Sequence, residues 1–136
     1  MDKLIEHIKS EEGYRSRVYK CTENYDTIGY GFAIKDLELS ERVCDLILKE
    51  KLVDLYDGVN RKFPFFERLP IEAQDIVLGM AYQMGVTGVS KFRKMLAALK
   101  MNDFKTAAEE MLDSRWSKQT PNRANRMAEK MRSIDG

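Results

Sequence analysis

Three side chains near the N-terminus have the types and spacing to do chemistry. Glu12 is followed after eight residues by Cys21, and Cys21 after five by Thr27. A carboxyl, a thiol and a hydroxyl could supply a proton donor, an ionisable base or nucleophile, and a group that orients water. Glu12 sits in Ser10-Glu11-Glu12-Gly13, at the end of a helical pattern. A carboxylate in a last helical turn feels the negative end of the helix dipole, and burial adds to that field. Both disfavour ionisation. A carboxylic acid kept protonated near neutral pH is what a general acid needs. The plain alternative is a solvent-facing Glu at a frayed helix end. Cys21 is more ambiguous. A free thiol ionises near pH 8.5, so only about a few per cent is thiolate at neutral pH. Lys20 would lower that value, and an ionised Glu12 would raise it. A thiolate could act as base or nucleophile. Otherwise Cys21 is a half-buried filler beside a Glu that works alone. Asp26 adjoins Thr27 on a strand, so its side chain should point to the opposite face. Cys44, among Val43, Leu46 and Ile47, reads as core, and His7 as surface.

These groups need elements to hold them. Residues 2–12 read as a short amphipathic helix with Leu4, Ile5 and Ile8 on one face and Gly13 placed to stop it. From 17 to 34 the texture is β. Val18, Tyr19, Tyr25, Thr27, Ile28, Tyr30 and Phe32 are strand formers, and Glu23-Asn24 offers a turn. Two or three short antiparallel strands are expected. Ser40 then caps a helix running to about Val59, with Val43, Leu46, Ile47, Leu52, Tyr56 and Val59 at helical spacing. Lys62-Phe63-Pro64-Phe65-Phe66 breaks it. A helix over 70–84 starts at Pro70, with Ile71, Ile76, Val77, Met80 and Ala81 inward. Gly85 and Gly88 mark a tight connection. Helices follow at about 89–99, 103–113 and 121–132, with Asn102 and Pro121 as punctuation. The class is α+β, mostly α.

The whole chain narrows the options. At 136 residues it suggests one domain, residues 1–136, with 43% hydrophobic and 33% charged side chains. No apolar run approaches the roughly 18 residues of a membrane helix, so no stable membrane insertion is expected. MDKLIEHIKSEEG has no apolar signal core, so a cytoplasmic origin is expected, with export left to another machine. Cys21 and Cys44 form no disulfide framework, and one histidine without a CxxC motif argues against a metal site. No metal or cofactor is expected. Charge is uneven. From Lys91 onward there are 11 Lys+Arg and 6 Asp+Glu, net +5, against net −4 for the first 90 residues. A basic half could meet a polyanion such as nucleic acid or an anionic wall polymer. The alternative is a solvated helical surface.

Three blocks carry a resemblance. YKCTENYDTIGYG follows Glu12-Gly13, QMGVTGVSKF spans Gln83 to Phe92, and SRWSKQTPNRANR spans Ser114 to Arg126. In this order they resemble the phage-type lysozymes of the T-even kind, glycoside hydrolase family twenty-four. The resemblance covers both ends of the chain. It is weak over about 35–70, where the chain is shorter than the family pattern. It implies a lysozyme-like fold. The N-terminal lobe would span about 13–60, with a β-hairpin or three-stranded sheet at 17–34 and an inter-lobe helix at about 40–59. A helical C-terminal lobe would take about 61–136 plus helix 2–12. It also implies a monomeric muramidase acting on bacterial peptidoglycan, between N-acetylmuramic acid and N-acetylglucosamine. Such an enzyme waits in a host bacterial cytoplasm until released to the wall.

Carried over residue by residue, the resemblance makes Glu12 the general acid, and Thr27 the group that positions the attacking water. Arg123 would pair with Glu12. Gln83 and Thr120 match glycan-bonding positions, and Gly31, Phe32 and Tyr82 would line the wall. Trp116, the only tryptophan, reads as core packing. The chain departs from the family at Cys21, which replaces an Asp, and at Phe32, which replaces a frequent His. Glu110 and Met95 stand at two further glycan-contact positions. Glycosidases usually set two carboxylates about 6.5–9.5 Å apart for inversion and closer for retention. Cys21 as base, as nucleophile or as spectator therefore stays open, as does the stereochemical course. A lytic transglycosylase using Glu12 alone and an inactive peptidoglycan-binding homologue are the alternatives. Nucleic-acid binding rests only on the basic half, and QTPNRA argues for sugar instead.

Overall fold

Gly13 ends the first helix in the way its sequence predicts. In the computed structural model, which describes residues 1–135, α1 spans Asp2–Glu12 and Gly13 takes a φ of 70°, its amide donating to the Lys9 carbonyl at 2.9 Å. Three antiparallel strands follow, β1 at Arg15–Lys20, β2 at Asp26–Gly29 and β3 at Phe32–Ala33, in the order β1-β2-β3. A 3-10 turn at Ile34–Asp36 leads to α2, Glu41–Lys62. A second 3-10 turn at Phe66–Arg68 precedes α3 at Ile71–Ser90, α4 at Arg93–Lys100, α5 at Phe104–Leu112, α6 at Arg115–Gln119 and α7 at Pro121–Arg132. This is a lysozyme-like α+β fold, mostly helical with one small sheet. The chain divides into two compact units, with the boundary between Cys44 and Asp45 inside α2.

The first unit is a helix beside a small sheet. β2 is central, with Thr27 opposite Tyr19 on one side and Ala33 on the other. The Glu23-Asn24 turn forms through Asn24, whose φ of 69° is left-handed and whose amide donates to the Cys21 carbonyl at 2.8 Å. So short a unit has too little apolar surface to close a core. Thr27 is its one fully buried side chain among the described residues, and Leu4, Ile5 and Ile8 stay exposed. Cys44 departs from expectation. It is exposed rather than core, as are Leu46, Ile47 and Leu52, because α2 buries a side chain only at Val59.

The second unit holds the core. Phe66, Val77, Met80, Met95, Leu99, Met111 and Met131 are almost entirely inaccessible, and α5 packs on both α7 and α4. Buried Ala107, Ala108, Ala124 and Ala128 let α5 and α7 approach closely. Ile71 is exposed rather than inward, because it opens α3 directly after Pro70 and precedes the first buried position, Ala73. Gly85 breaks α3 with φ 81° and ψ 163°. The chain then makes one more turn, so α4 begins at Arg93 rather than near 89. Helix α6 has no counterpart in the sequence reading. Its signal is Ser114, whose Oγ accepts the Ser117 amide at 3.2 Å as an N-cap.

Candidate active site

Glu12 is the last residue of α1, and its carboxylate lies against Gly31 in the Gly29-Tyr30-Gly31 turn between β2 and β3. A Cβ on Gly31 would clash with Glu12 Oε2 and fall 2.9 Å from Cδ. A Cβ on Gly29 would fall 2.7 Å from the Phe32 ring. Both glycines have left-handed φ, 70° and 73°. IGYG therefore needs glycine twice over, for the backbone and for clearance. Tyr30 ties this turn to the helix. Its ring sits 5.8 Å from that of Tyr14 and 5.6 Å from Lys9 Nζ. The hairpin thus places the backbone of Gly31 beside the Glu12 carboxyl.

Cys21 follows β1 directly and is half-buried. Its amide donates to the Tyr25 carbonyl at 3.0 Å. The thiol is held below its ordinary range. Hydrogen bonding from the Tyr25 backbone is the largest cause, followed by the Glu23 backbone, with the Thr27 side chain adding less. Desolvation and the Glu23 charge oppose them. The cause differs from the expected one. Lys20 and Glu12 are not among the influences. Lys20 is instead committed to Asp26, Nζ to Oδ1 2.8 Å. The turn's own backbone stabilises the sulfur anion.

Thr27 is 3% exposed, and its Oγ donates to the Tyr25 carbonyl at 2.9 Å. That carbonyl therefore accepts from both Thr27 and Cys21 and locks the loop between them. Asp26 faces the other way, exposed and paired with Lys20, so it offers no second carboxylate beside Thr27. The structure brings Cys21 and Thr27 into one hydrogen-bonded loop and Glu12 onto Gly31. Phe32 follows that glycine with its ring partly exposed. A carboxyl, a thiol whose anion is stabilised and a buried hydroxyl are the groups this unit offers to chemistry.

The remaining predicted residues lie in the second unit. Gln83 Oε1 accepts from Trp116 Nε1 at 3.0 Å, and Thr120 Oγ donates to the Trp116 carbonyl at 3.0 Å. Indole N–H is a donor only, so it must take the Gln83 oxygen and leave the amide NH2 outward. Trp116 is buried, with Phe92 edge-on at 6.1 Å. It packs as expected and also orients Gln83, a role its single N–H could have signalled. Tyr82 is exposed beside Gln83, and Arg123 is half-buried in the first turn of α7. Met95, although almost inaccessible, and Glu110 both line a cavity of about 510 Å³ together with Phe92, Lys94, Arg115 and Trp116. A larger cavity of about 950 Å³, lined by Pro70, Ile76, Met127 and Ile134 among others, contains none of the predicted site residues. Among the described residues no three His, Cys, Asp or Glu side chains are grouped to hold a metal, and no helix is long and apolar enough to cross a membrane.

Residues 9–132 match the phage lysozyme family model. The chain belongs to the phage lysozyme family. Similar proteins include the pre-baseplate central spike protein Gp5 of Enterobacteria phage T4, 30% identical over 152 positions. That match covers 91% of this chain but only 26% of the spike protein, so the chain spans about a quarter of that relative's length. Probable T4-type lysozymes 1 and 2 of Dictyostelium discoideum are 29% and 28% identical. These matches cover 88% of both chains for the first, and 91% of this chain and 90% of the relative for the second. An alignment of 152 positions on a phage lysozyme chain of 136 residues means the relatives carry residues that this one lacks. The family supports a peptidoglycan-degrading lysozyme activity, that of a glycosidase.

Proposed function

We propose that the chain is a muramidase that hydrolyses the β-1,4 bond between N-acetylmuramic acid and N-acetylglucosamine, with Glu12 as general acid. The observation that supports this most is the seating of the Glu12 carboxyl on the Gly31 backbone, beside the strand that carries Thr27. In this reading Glu12 gives its proton to the glycosidic oxygen as the bond to the leaving sugar breaks. Thr27 accepts a hydrogen bond from the incoming water. The Cys21 thiolate stands where a second carboxylate would, stabilising positive charge at the anomeric carbon and taking the proton of the attacking water. Gly31 and Phe32 would contact the sugar near Glu12. Tyr82, Gln83, Thr120 and Arg123 would bind glycan on the second unit, where Trp116 already joins Gln83 and Thr120. The protein would act as a monomer on the wall after release from a host bacterial cytoplasm.

The test is clearing of outer-membrane-permeabilised Gram-negative cells, with muropeptides read by mass spectrometry. Wild type should release reducing ends and Glu12→Gln should release none. Cys21→Asp should equal or exceed wild type, and Cys21→Ser should fall by about tenfold or more, since it keeps the bulk and loses the anion. Clearing by Glu12→Gln equal to wild type would end the proposal. A specific feature favours one alternative. Asp26 is turned away and paired, so Glu12 is the carboxyl next to the turn, as a lytic transglycosylase requires. That enzyme would leave 1,6-anhydro ends, one water lighter, and would be indifferent to Cys21→Ser.

A further inference from the structure

Tyr14, Tyr30 and Phe32 form a row of aromatic rings beside Glu12. Ring centroids are 5.8 Å apart for Tyr14 and Tyr30, tilted by 51°, and 6.4 Å apart for Tyr30 and Phe32, edge-on at 84°. Tyr30 is the half-buried middle ring. Tyr14 is 67% exposed and Phe32 47% exposed. A single exposed aromatic needs no explanation, but a contiguous row of large apolar rings marks a binding surface. Fold maintenance accounts for Tyr30, which bridges α1 and the β2–β3 turn. Tyr14 and Phe32 flank it with their outer faces open.

We infer that Tyr14 and Phe32, wedged apart by Tyr30, form a stacking subsite for the glycan strand of peptidoglycan, beyond the sugars that flank the bond cut at Glu12. The inference rests on the reading of Glu12 as the acid. It is carried by continuity, because Gly31, which cradles the Glu12 carboxyl, lies between Tyr30 and Phe32 in sequence and structure. A pyranose has faces of C–H bonds that pack on the negative face of an aromatic ring. The Tyr14 hydroxyl can also bond a sugar hydroxyl or acetamido group. The centroid spacings are of the order of one sugar unit. The rings are not coplanar, so successive sugars would meet different faces, as a twisting glycan chain presents them.

Binding is measured by calorimetry in a Glu12→Gln background, with soluble murein fragments of one, two and three disaccharide units. Tyr14→Leu keeps apolar bulk against Tyr30 and removes the outer ring, and Tyr14→Trp keeps a ring. Tyr14→Leu should weaken the longest fragment by about tenfold, within the range that stacking on one aromatic side chain supplies. The single disaccharide should be unaffected, and Tyr14→Trp should bind like the parent. With Glu12 intact, Tyr14→Leu should raise KM for long glycan and leave kcat within about twofold, as loss of uniform binding does. Equal affinity of Tyr14→Leu and the parent for the longest fragment would overturn the subsite. Equal weakening of all three lengths would overturn it too, by showing a general disturbance of the turn. Failure of the muramidase reading looks different, because wild type would then release no muropeptides whatever Tyr14 does.

Discussion

Gly31→Ala tests whether the glycine turn positions Glu12. The substitution does two separable things. It forces an L-residue to a φ of 73°, which costs roughly 1–2 kcal/mol. It also puts a methyl carbon 2.9 Å from Glu12 Cδ and closer still to Oε2. Carbon atoms pack at about 3.5–4.0 Å, so the carboxyl must retreat by at least about half an ångström. An error of about 1 Å in a catalytic group can cost on the order of 100-fold in rate. Gly13→Ala is the control. Gly13 has almost the same φ, 70°, but a Cβ there meets nothing within 4 Å. Both variants should melt below wild type, because each forces a side chain onto a positive φ. Clearing of permeabilised cells is then compared per folded molecule, well below both transitions. Gly31→Ala should fall by about 30- to 100-fold, and Gly13→Ala should stay within about threefold of wild type. Wild-type activity in Gly31→Ala would refute the cradle. So would an equal loss in Gly13→Ala, because backbone strain at the helix end would then explain both.

The thiol and the tryptophan give two further predictions. In a Cys44→Ser background, the alkylation rate of Cys21 should titrate with a midpoint below that of an ordinary thiol, and Thr27→Val should move it upward. A depressed folded value means that the thiolate's contribution to stability is present above the unfolded thiol pKa and is lost as pH falls through the folded one. A midpoint at or above that of a simple thiol would refute the backbone account. Trp116→Phe removes the N–H that holds Gln83, so unfolding stability should drop by about 1–2 kcal/mol in chemical denaturation. Gln83→Leu added to Trp116→Phe should recover part of that loss, and failure to do so would break the proposed coupling.

Much of this fold could be read from local signals. Gly13, Ser40 and Pro121 mark helix ends by mechanisms that act within a few residues, and the β-formers between Val18 and Phe32 cluster around the Glu23-Asn24 turn. What was not legible depends on partners distant in sequence. Cys44 has the apolar neighbours of a core residue, yet it and its neighbours Leu46 and Ile47 are exposed. Ile71 fits the inward stripe of α3 by period but stands before its first buried turn. The signal for α6 is one Ser cap over five residues, too little for periodicity to register. In the site, residue types were visible and causes were not. Lys20 looked like the cation beside the thiol, and only the register pairing it with Asp26 shows why it is occupied elsewhere.

The hydrogen bonding of Thr27 constrains what Cys21 can do. A threonine hydroxyl has one proton and two lone pairs. The Tyr25 carbonyl can only accept, so at 2.9 Å it takes that proton. The lone pairs of Thr27 then serve as acceptors, for the S–H of a neutral Cys21 or for one O–H of a water. When Cys21 ionises, the Thr27 hydroxyl can turn its proton to the sulfur. The Tyr25 carbonyl is not orphaned by this switch, because the Cys21 amide still donates to it at 3.0 Å. The loop therefore accommodates thiol and thiolate without leaving a buried polar group unpaired, a penalty of roughly 1–3 kcal/mol avoided in either state.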